Sequence, residues 1–409
     1  MELLKVDTLA LARDKLINVM ENKENKKVYL DLLESQGYIL AQDIVSNEPV
    51  PAFRRSSVDG YAVISSDTTG ASESLPVFLE IVDEIVMGAP ARKELHIGEC
   101  AYVPTGGMIP EGADAMVMVE YCELFDHDHV AVYTSVPYGK HIVLTGEDIQ
   151  KGELVIKKGR KIRPQEIGAM ASLGITKVLV YEPWKISIIS TGDELVPPQI
   201  TPTLGQVRDI NTYSILAQAK KHGLVVQNTR VLMDDESKLK EAILMDMQES
   251  DIVVISGGSS QGKKDATKSI IDEVASRGAF VHGLALKPGK PTIIGYDDNT
   301  SSILVGLPGH PVAAMLVFEL LMIRLWKELT NQVMDPSVYA RMASNLAGAP
   351  GRVTCQLVSL TKQGKDYIAE PILGKSGLIT TLTKADGYIM IEQNKEGLQK
   401  DEIVEVFYI

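Results

Sequence analysis

The chain has 409 residues, of which 45% are hydrophobic and 23% are charged. This composition is typical of soluble globular proteins, and the length predicts several domains. A formal net charge of -13 argues against nonspecific nucleic-acid binding. Cys100, Cys122 and Cys355 are far apart in the sequence and show no metal-ligand spacing, which favours a reducing compartment such as the cytoplasm.

The sequence also argues against membrane attachment. The first residues lack the apolar core of a signal peptide. The most apolar predicted helix, Pro311–Trp326, is interrupted by Glu319 and Arg324 and is shorter than the roughly 20 residues that cross a bilayer. We therefore expect a buried helix at this position.

Helical and extended patterns alternate over the first half of the chain. Thr8–Glu21 and Lys27–Ser35 show helical spacing, and Pro164–Ser172 predicts a short helix. Between them, residues 51–145 carry short β-type runs such as Pro76–Val86, and residues 146–159 predict a hairpin. We expect an elongated N-terminal helical and hairpin domain of residues 1–50 plus 146–182, interrupted by a β-rich domain of residues 51–145.

From Pro183 onward, strands and helices alternate in the order of a three-layer α/β domain with a mostly parallel sheet, expected over residues 183–332. The predicted elements are the strands Ile186–Ser190, Leu224–Leu232, Asp251–Ser256 and Ser302–Val305 and the helices Thr212–Lys221, Ser237–Glu249 and Val312–Leu329, with Asn211 as an expected helix cap. Short strands and Gly-rich turns then predict a C-terminal β-barrel over residues 333–409.

A glycine-rich loop follows the predicted strand Asp251–Ser256. Gly257, Gly258 and Ser259 lie between the strand and a helix, where backbone N–H groups and the helix dipole favour an anion. The alternative, a tight turn without a ligand, is equally compatible with the glycine pair.

Carboxylates collect where the predicted strands of the α/β domain end. Asp193 and Glu194 follow one strand, Asp234 follows another, and Asp265 follows the glycine-rich loop. Magnesium prefers oxygen ligands and commonly uses one or two carboxylates together with substrate phosphates. Asp193, Glu194 and Asp265 are therefore predicted metal ligands, although each alone could be a helix cap or a solvated loop residue.

The segment Lys287–Pro291 contains two lysines and two prolines. The prolines restrict the backbone around the ammonium groups, which favours an anion site over a rigid surface turn. His310 and His282 are candidate acid–base groups, although isolated loop histidines are more often structural. Arg54 and Arg55 are compatible with either a phosphate contact or a solvated turn.

Taken together, these motifs resemble the MoeA family of molybdopterin molybdenumtransferases, to which the E domain of gephyrin is related. The resemblance is carried, in family order, by Ser56–Val63, Pro104–Gly107, Gly146–Ile149, Ser190–Leu195, Asp209–Asn211, Asp234–Asp235, Ser256–Gly258 with Asp265, Lys287–Pro291 and Gly306–Pro311. It extends over nearly the whole chain.

The resemblance implies an elongated homodimer whose α/β domain is similar to the molybdopterin-binding MogA fold, with a MogA-like adenylyltransferase as a protein partner. It implies transfer of molybdenum from molybdate to adenylylated molybdopterin, with Mg²⁺ and release of AMP. The implied catalytic residues are Asp59, Thr105, Asp148, Glu194, Asp234 and Asp265. The implied ligand cleft contains Gly257, Gly258, Ser259, Lys287, Lys290, Pro291, Pro308 and Pro311, completed by Arg352 and Ser376.

The chain departs from the family pattern at several positions. Arg54-Arg55 replaces a usual Asp-Asn pair, His310 stands where many members carry Asn, and Thr354-Cys355 replaces an acidic-aromatic pair. These changes leave two alternatives open, a preference for tungstate and a noncatalytic molybdopterin-binding or scaffold protein.

Overall fold

The computed structural model describes residues 6–21, 23–257 and 261–409, and for residues 261–265 it describes the backbone alone. The predicted ligand residues Gly258 and Ser259 and the side chain of Asp265 therefore lie outside the description. Within the described residues, no helix combines the length and the apolar character that crossing a membrane requires.

The N-terminal region begins with a helix and continues in short strands. These are α1 (Leu9–Val19), β1 (Lys27–Asp31), β2 (Ile39–Leu40) and β3 (Ile44–Val45). Thr8 caps α1 by accepting a hydrogen bond from the Leu11 amide. The buried face of α1, with Ala12 and Leu16, packs into the same core as Trp184 of the α/β region.

The helix predicted for Lys27–Ser35 is wrong. Residues 27–31 form strand β1, which pairs along its whole length with Lys177–Tyr181, and turns follow it. The backbone hydrogen bonds of that distant partner outweigh the local helical spacing, because intrinsic propensity is a weak preference that tertiary pairing overrides.

The β-rich region forms a six-stranded sheet in the order β8-β5-β7-β6-β10-β9. Its two faces pack into separate apolar clusters, since Tyr61 and Val63 point to one side and Ala62 to the other. The strands of this region are β4 (Arg55–Ser56), β5 (Gly60–Val63), β6 (Val77–Glu84), β7 (Glu99–Val103), β8 (Ala115–Met118), β9 (Cys122–Leu124), β10 (His129–Val132) and β11 (Ile142–Val143), with 3₁₀ turns at Ser65–Thr68 and Val119–Tyr121.

After this sheet the chain returns to the N-terminal strands. It forms β12 (Leu154–Ile156), α2 (Pro164–Ser172) and β13 (Lys177–Tyr181). Strand β12 pairs with β3, and β13 lies between β1 and β2. The predicted hairpin over residues 146–159 is therefore wrong, because β12 takes its partner from residues 44–45. The predicted bounds of α2 agree with the structure.

The α/β region contains most of the helices. Its elements are β14 (Lys185–Thr191), β15 (Leu195–Val196), β16 (Val207–Arg208), α3 (Asn211–Lys221), β17 (Val225–Leu232), α4 (Glu236–Met247), β18 (Ile252–Gly257), α5 (Gln261–Val274), β19 (Ala279–His282), β20 (Leu286–Lys287), β21 (Ile293–Asp297), β22 (Ser302–Leu307), α6 (Pro311–Val317) and α7 (Arg324–Leu329), with π-helical residues Phe318–Ile323 between the last two.

Its central sheet has the order β17-β14-β18-β22-β21-β19, in which the first four strands are parallel, β21 is antiparallel to β22, and β19 is antiparallel to β21. Alternate residues of β18 serve the two faces. Ile252 and Val254 pack with α3 and α6, whereas Val253 and Ile255 pack with α4 and α5. The predicted three-layer fold with a mostly parallel sheet is confirmed.

The C-terminal region is a closed barrel of the strands β25-β26-β23-β29-β27, which the pairing of β25 with β27 completes. Strand β20 of the α/β region pairs with the edge of β25 and joins the two regions. The elements here are β23 (Ser337–Met342), β24 (Leu346–Ala347), β25 (Val353–Gln363), β26 (Asp366–Pro371), α8 (Thr380–Thr383), β27 (Gly387–Ile391), β28 (Gly397–Leu398) and β29 (Ile403–Tyr408).

Candidate active site

A cavity of about 580 Å³ lies between the α/β region and the barrel and is called the basic cleft below. Its charged lining is entirely positive among the described residues, and none of these cations pairs with a described carboxylate. The cations are Lys287, Lys290, Arg352 and Lys375. Such a cleft suits an anion, because its positive charges lack a partner within the described chain.

The turn that carries Lys287 and Lys290 is tightly held. Gly289 has a φ of +125°, and a Cβ there would lie 2.6 Å from Cγ2 of Val317, so only glycine fits. The Gly289 carbonyl accepts a hydrogen bond of 2.8 Å from the Thr292 hydroxyl. This turn places both lysines and Pro291 on the cleft, as the sequence predicts.

The barrel supplies the opposite wall. Leu286 and Lys287 of β20 pair with Val353 and Thr354 of β25, which places Arg352 at the cleft. The Ser376 loop is held separately, because the amide of Val312 donates to the Ser376 carbonyl at 3.2 Å.

A side-chain contact also joins the start of α6 to the Ser376 loop. Nδ1 of His310 lies 2.8 Å from Oγ of Ser376. Pro308 lines the cleft between these contacts. Pro311 is the first residue of α6, is buried, and does not belong to the lining.

Cys355 borders the basic cleft but is 4% exposed. Burial raises the pKa of its thiol to about 12, against a small opposing effect of Arg324. The thiol is therefore neutral near pH 7 and is a poor nucleophile or metal ligand.

A second group of predicted residues lies where β14 and β17 end. The amide of Asp234 donates to Oδ1 of Asp193 at 3.0 Å, and the amide of Asp193 donates to Oδ2 of Asp234 at 3.4 Å. Glu194 is exposed beside them, and its carboxylate lies over Gly192, where a Cβ would approach both oxygens to 2.8 Å. These three carboxylates are called the acidic edge below.

The turn after β18 requires glycine at position 257. Gly257 has a φ of +142°, and a Cβ there would lie 2.2 Å from the Thr191 carbonyl oxygen. The ends of β14 and β18 therefore approach closely. The backbone of Asp265 lies in the first turns of α5, which follows this strand.

The acidic edge fits a magnesium ion by its chemistry. Asp193, Glu194 and Asp234 present carboxylate oxygens from the ends of two neighbouring strands, and magnesium prefers oxygen ligands. Their oxygens do not all lie within 4.8 Å of one another, a spacing that three acidic or histidine groups reach in the described residues only at His222, Glu319 and Asp335. The sequence predicts Asp193 and Glu194 as ligands and assigns Asp234 a catalytic role instead. The reciprocal hydrogen bonds place Asp234 with the predicted ligands.

A buried amide joins strand β18 to the turn before α6. Asn211 donates to Oγ of Ser256 at 2.7 Å and to the Gly309 carbonyl at 2.9 Å. The predicted cap role of Asn211 is wrong, because Ile210 is the N-cap and the side-chain amide of Asn211 bonds to Ser256 and Gly309 instead. The motif Asp209–Asn211 was the sequence signal for this residue, but its partners follow distant strands.

Two oxygens in this network have no hydrogen-bond partner in the described part of the chain. They are Oδ2 of Asp209, which is 4% exposed, and Oδ1 of Asn211, which is 8% exposed. The other oxygen of Asp209 accepts from the Ser190 hydroxyl at 3.3 Å and from the Thr212 amide at 3.2 Å. Buried acceptors usually have partners, so these two are available to a ligand or water.

The remaining predicted residues lie in the β-rich region and the turn that follows it. Oδ1 of Asp59 accepts a hydrogen bond of 2.8 Å from the Thr105 amide, so these two residues are together and both are exposed. Asp148 is exposed in a turn whose backbone bonds to Val50. Among the described residues, Asp59, Thr105 and Asp148 make no side-chain hydrogen bond to the lining of the basic cleft.

The two arginines of the pair have different surroundings, and a phosphate contact stays a prediction for them. Arg54 donates to the carbonyls of Ala113 at 2.9 Å and Pro110 at 3.2 Å and lies 3.4 Å from Glu111. These contacts hold a loop of the β-rich region. Arg55 is exposed in β4.

A separate cluster of His222, Glu319 and Asp335 has ligand atoms within 4.8 Å of one another. The buried ammonium of Lys327 already bonds to Asp335, and Nε2 of His222 lies 3.2 Å from Glu319. Burial opposes ionisation of Glu319, but its contacts with His222 and Gln218 hold its pKa below the usual value. Because Lys327 already pairs with Asp335 and His222 lies beside Glu319, we interpret this cluster as an ion-pair network.

A larger groove of about 850 Å³ lies between α1, the segment from β12 to α2, and α7. Two of its arginines are paired, since Arg13 lies 3.7 Å from Glu328 and Arg160 lies 3.0 Å from Glu166. Glu166 and Glu328 neutralise part of the positive charge of this groove, whereas the basic cleft has no carboxylate in its described lining.

Three family models match the chain in order. They describe the MoeA N-terminal region (domain I and II) at residues 7–174, a probable molybdopterin binding domain at residues 187–328, and the MoeA C-terminal region (domain IV) at residues 339–409. A molybdopterin molybdenumtransferase of Haemophilus influenzae is 32% identical over 405 residues, covering 98% of both chains. The chain belongs to the MoeA family.

Other relatives agree with this membership. A putative molybdopterin biosynthesis protein of Methanocaldococcus jannaschii is 35% identical over 396 residues, covering 94% of this chain and 93% of that protein. A crystal structure of the molybdopterin biosynthesis MoeA protein from Pyrococcus horikoshii OT3 has a TM-score of 0.83 and 29% identity, covering 99% of this chain and 100% of the other. The MoeA resemblance read from the sequence motifs is confirmed, whereas the roles of individual site residues stay predictions.

Proposed function

We propose that this MoeA family member is a molybdopterin molybdenumtransferase that moves molybdenum from molybdate to adenylylated molybdopterin and releases AMP. The observation that carries the proposal is the basic cleft, whose four cations pair with no described carboxylate, on an α/β region whose strand ends carry Asp193, Glu194 and Asp234. Molybdate is a tetrahedral dianion and suits the cleft, whereas the pyrophosphate of the substrate suits a metal at the acidic edge.

In this proposal the basic cleft binds and orients molybdate. Lys287 and Lys290 stand on a turn that Gly289 and Thr292 hold in place, so their charges are prearranged for the dianion. Arg352 and Ser376 approach from the barrel. Charge-assisted hydrogen bonds from these groups are about twice as strong as neutral ones, and they fix the oxyanion where the dithiolene sulfurs must reach it.

The acidic edge would hold Mg²⁺ through Asp193, Glu194 and Asp234, with Asp265 as a further ligand by family resemblance. When bound, Mg²⁺ neutralises charge that develops on the phosphates as the bond to AMP breaks. The chain's own contribution is to hold the carboxylates in place, which the reciprocal hydrogen bonds of Asp193 and Asp234 do.

We further propose that the chain works as a cytoplasmic homodimer. Asp59 and Thr105 are exposed and bonded to one another in the β-rich region. A second subunit that brings this pair to the cleft would unite all predicted catalytic residues, Asp148 among them. A MogA-like adenylyltransferase is the proposed source of the adenylylated substrate, and neither nucleic acid nor a membrane is needed as a partner.

The test is AMP release from adenylylated molybdopterin by the purified protein with Mg²⁺, with and without molybdate or tungstate. Release that depends on molybdate supports the transferase, and release that depends more strongly on tungstate identifies the alternative metal. Tight binding of the substrate without release would support the noncatalytic alternative. Absence of any binding would contradict both.

A further inference from the structure

A side-chain contact between His310 and Ser376 crosses the basic cleft from the α/β region to the barrel. Nδ1 of His310 and Oγ of Ser376 are 2.8 Å apart, and both residues line the cleft. We infer that His310 is a positioning residue that turns the Ser376 hydroxyl into a hydrogen-bond donor for the bound oxyanion. This inference rests on the proposed function of the cleft.

The position of the imidazole is set by backbone on both sides. His310 is the N-cap residue of α6, so its Cα is fixed by the helix start, and its side chain makes no cap bond of its own. The Ser376 carbonyl accepts from the Val312 amide, which fixes the serine relative to the same helix. The ring edge formed by Cδ2 and Nε2 lies beside Gly377, where a Cβ would be 3.7 to 3.8 Å away.

The direction of the hydrogen bond decides what the serine offers to a ligand. If Nδ1 carries a proton, it donates to Ser376 Oγ, and the serine hydrogen is free to point at an oxyanion. If Nδ1 carries no proton, the serine donates to it and presents only lone pairs to the oxyanion. An anion in the cleft therefore favours the form in which Nδ1 is protonated.

The surroundings of the imidazole make this dependence specific. The other ionisable groups that line the cleft are Lys287, Lys290, Lys375, Arg352 and Cys355, and no described carboxylate does so. Asn211, two residues after Asp209, donates to the carbonyl of Gly309, the residue before His310. A neutral imidazole can carry its single proton on Nδ1 or on Nε2, so the tautomer decides whether His310 donates to Ser376. An asparagine amide at this position could also donate to Ser376.

The experiment measures molybdate binding to the full-length chain by isothermal titration calorimetry at a single pH near 8. We expect His310→Phe, which removes the ring nitrogens, to bind about tenfold more weakly than the unmodified protein, which corresponds to one hydrogen bond. His310→Asn, whose amide can also donate to Ser376, should restore tight binding, and Ser376→Ala should bind weakly. Adding His310→Phe to Ser376→Ala should cause no further loss, because His310 acts through the serine. His127→Asn, a change at an exposed site of the β-rich region, should behave like the unmodified protein.

Circular dichroism spectra establish that each variant is folded. The inference is overturned if His310→Phe binds as tightly as the unmodified protein, or if His310→Phe weakens binding further when Ser376 is already alanine. If the unmodified protein binds no molybdate, the proposed function of the cleft fails, and the inference fails with it. These outcomes separate a failure of the inference from a failure of the proposed function.

Discussion

The basic cleft and the acidic edge differ in charge and in how they are built. The cleft takes its cations from two structural regions, with Lys287 and Lys290 on one side and Arg352 and Lys375 on the other. The acidic edge takes its carboxylates from loops of a single sheet, where Asp193 and Asp234 bond to each other's backbone. The cleft therefore depends on how the barrel docks, whereas the edge depends only on the α/β region.

This difference suggests that the two sites bind different ligands in the proposed reaction, with molybdate in the basic cleft and metal-bound pyrophosphate at the acidic edge. An oxyanion and a metal-bound pyrophosphate need surroundings of opposite charge, so mixing lysines and carboxylates in one pocket would pair them with each other. Keeping them apart leaves the cations of the cleft free for the substrate. Changes in one group should then affect one ligand and leave the other unaffected.

The largest expected effect comes from removing a cation of the cleft. Lys290→Ala should lower molybdate-dependent AMP release by about a hundredfold, because it deletes a charge-assisted contact worth about 2 to 3 kcal/mol. The measurement is the rate of AMP release at saturating Mg²⁺. Lys365→Ala, at an exposed turn between β25 and β26, is the control. Unchanged turnover in Lys290→Ala would remove this lysine from the site.

A substitution of Gly289, in the turn that carries Lys287 and Lys290, should lower the stability of the folded protein. Gly289→Ala should reduce the free energy of unfolding by about 2 kcal/mol, because its φ is unfavourable for alanine and its Cβ would meet Val317 and Leu286. Gly205→Ala, with a φ of +89° and no atom within 4 Å of the new Cβ, should lose about 1 kcal/mol. Urea unfolding of both variants tests this. Equal losses would mean that the turn is not tightly packed.

A change at the acidic edge should affect magnesium alone. Asp193→Asn keeps an oxygen that accepts from the Asp234 amide but removes a negative charge. We therefore expect the Mg²⁺ concentration that gives half-maximal AMP release to rise about tenfold. Molybdate binding should not change. Asp128→Asn, at an exposed turn of the β-rich region, is the matched control. A loss of molybdate binding in Asp193→Asn would contradict the separation of the two sites.

The smallest effect is expected at Cys355. Since burial raises its pKa to about 12, almost no thiolate exists near pH 8, and iodoacetamide should modify it far more slowly than an ordinary thiol with a pKa of about 8.5. Cys355→Ala should alter molybdate affinity by less than about twofold, because the neutral thiol offers no strong hydrogen bond to an anion. Rapid modification that molybdate prevents would instead make this thiol part of the site.

The sequence predicts the α/β region well because its signals are local. Continuous apolar runs such as Ile252–Ile255 predict buried parallel strands, and the strand–helix alternation predicts the three layers. The bounds of α2 are also correct, because Pro164 suits the first helical turn and Glu166 accepts a hydrogen bond of 3.0 Å from the Arg163 amide at the helix start.

The wrong predictions all depend on distant partners. Residues 27–31 form a strand because Lys177–Tyr181 lies beside them, and β12 pairs with β3 and forms no hairpin. In the sequence Asn211 resembles a helix cap, but in the structure its side-chain amide bonds to Ser256 and Gly309. No local pattern contains these contacts.

The candidate site shows the same limit. The motifs predict which residues have suitable chemistry, and the structure brings Lys287, Lys290, Arg352 and Ser376 to a single cleft. The contact of His310 with Ser376 joins residues 66 positions apart. Its only sequence signal was a histidine at a position where many family members carry asparagine.

The β-rich sheet enters and leaves the rest of the chain at one place. Strand β3 pairs with β12, and Val50 bonds to Ile149, so the two connecting segments run side by side. The β-rich sheet is therefore an insertion between two paired segments of the N-terminal region. Asp59 and Thr105 belong to this one insertion, so their 2.8 Å hydrogen bond does not depend on how the insertion is oriented relative to the α/β region.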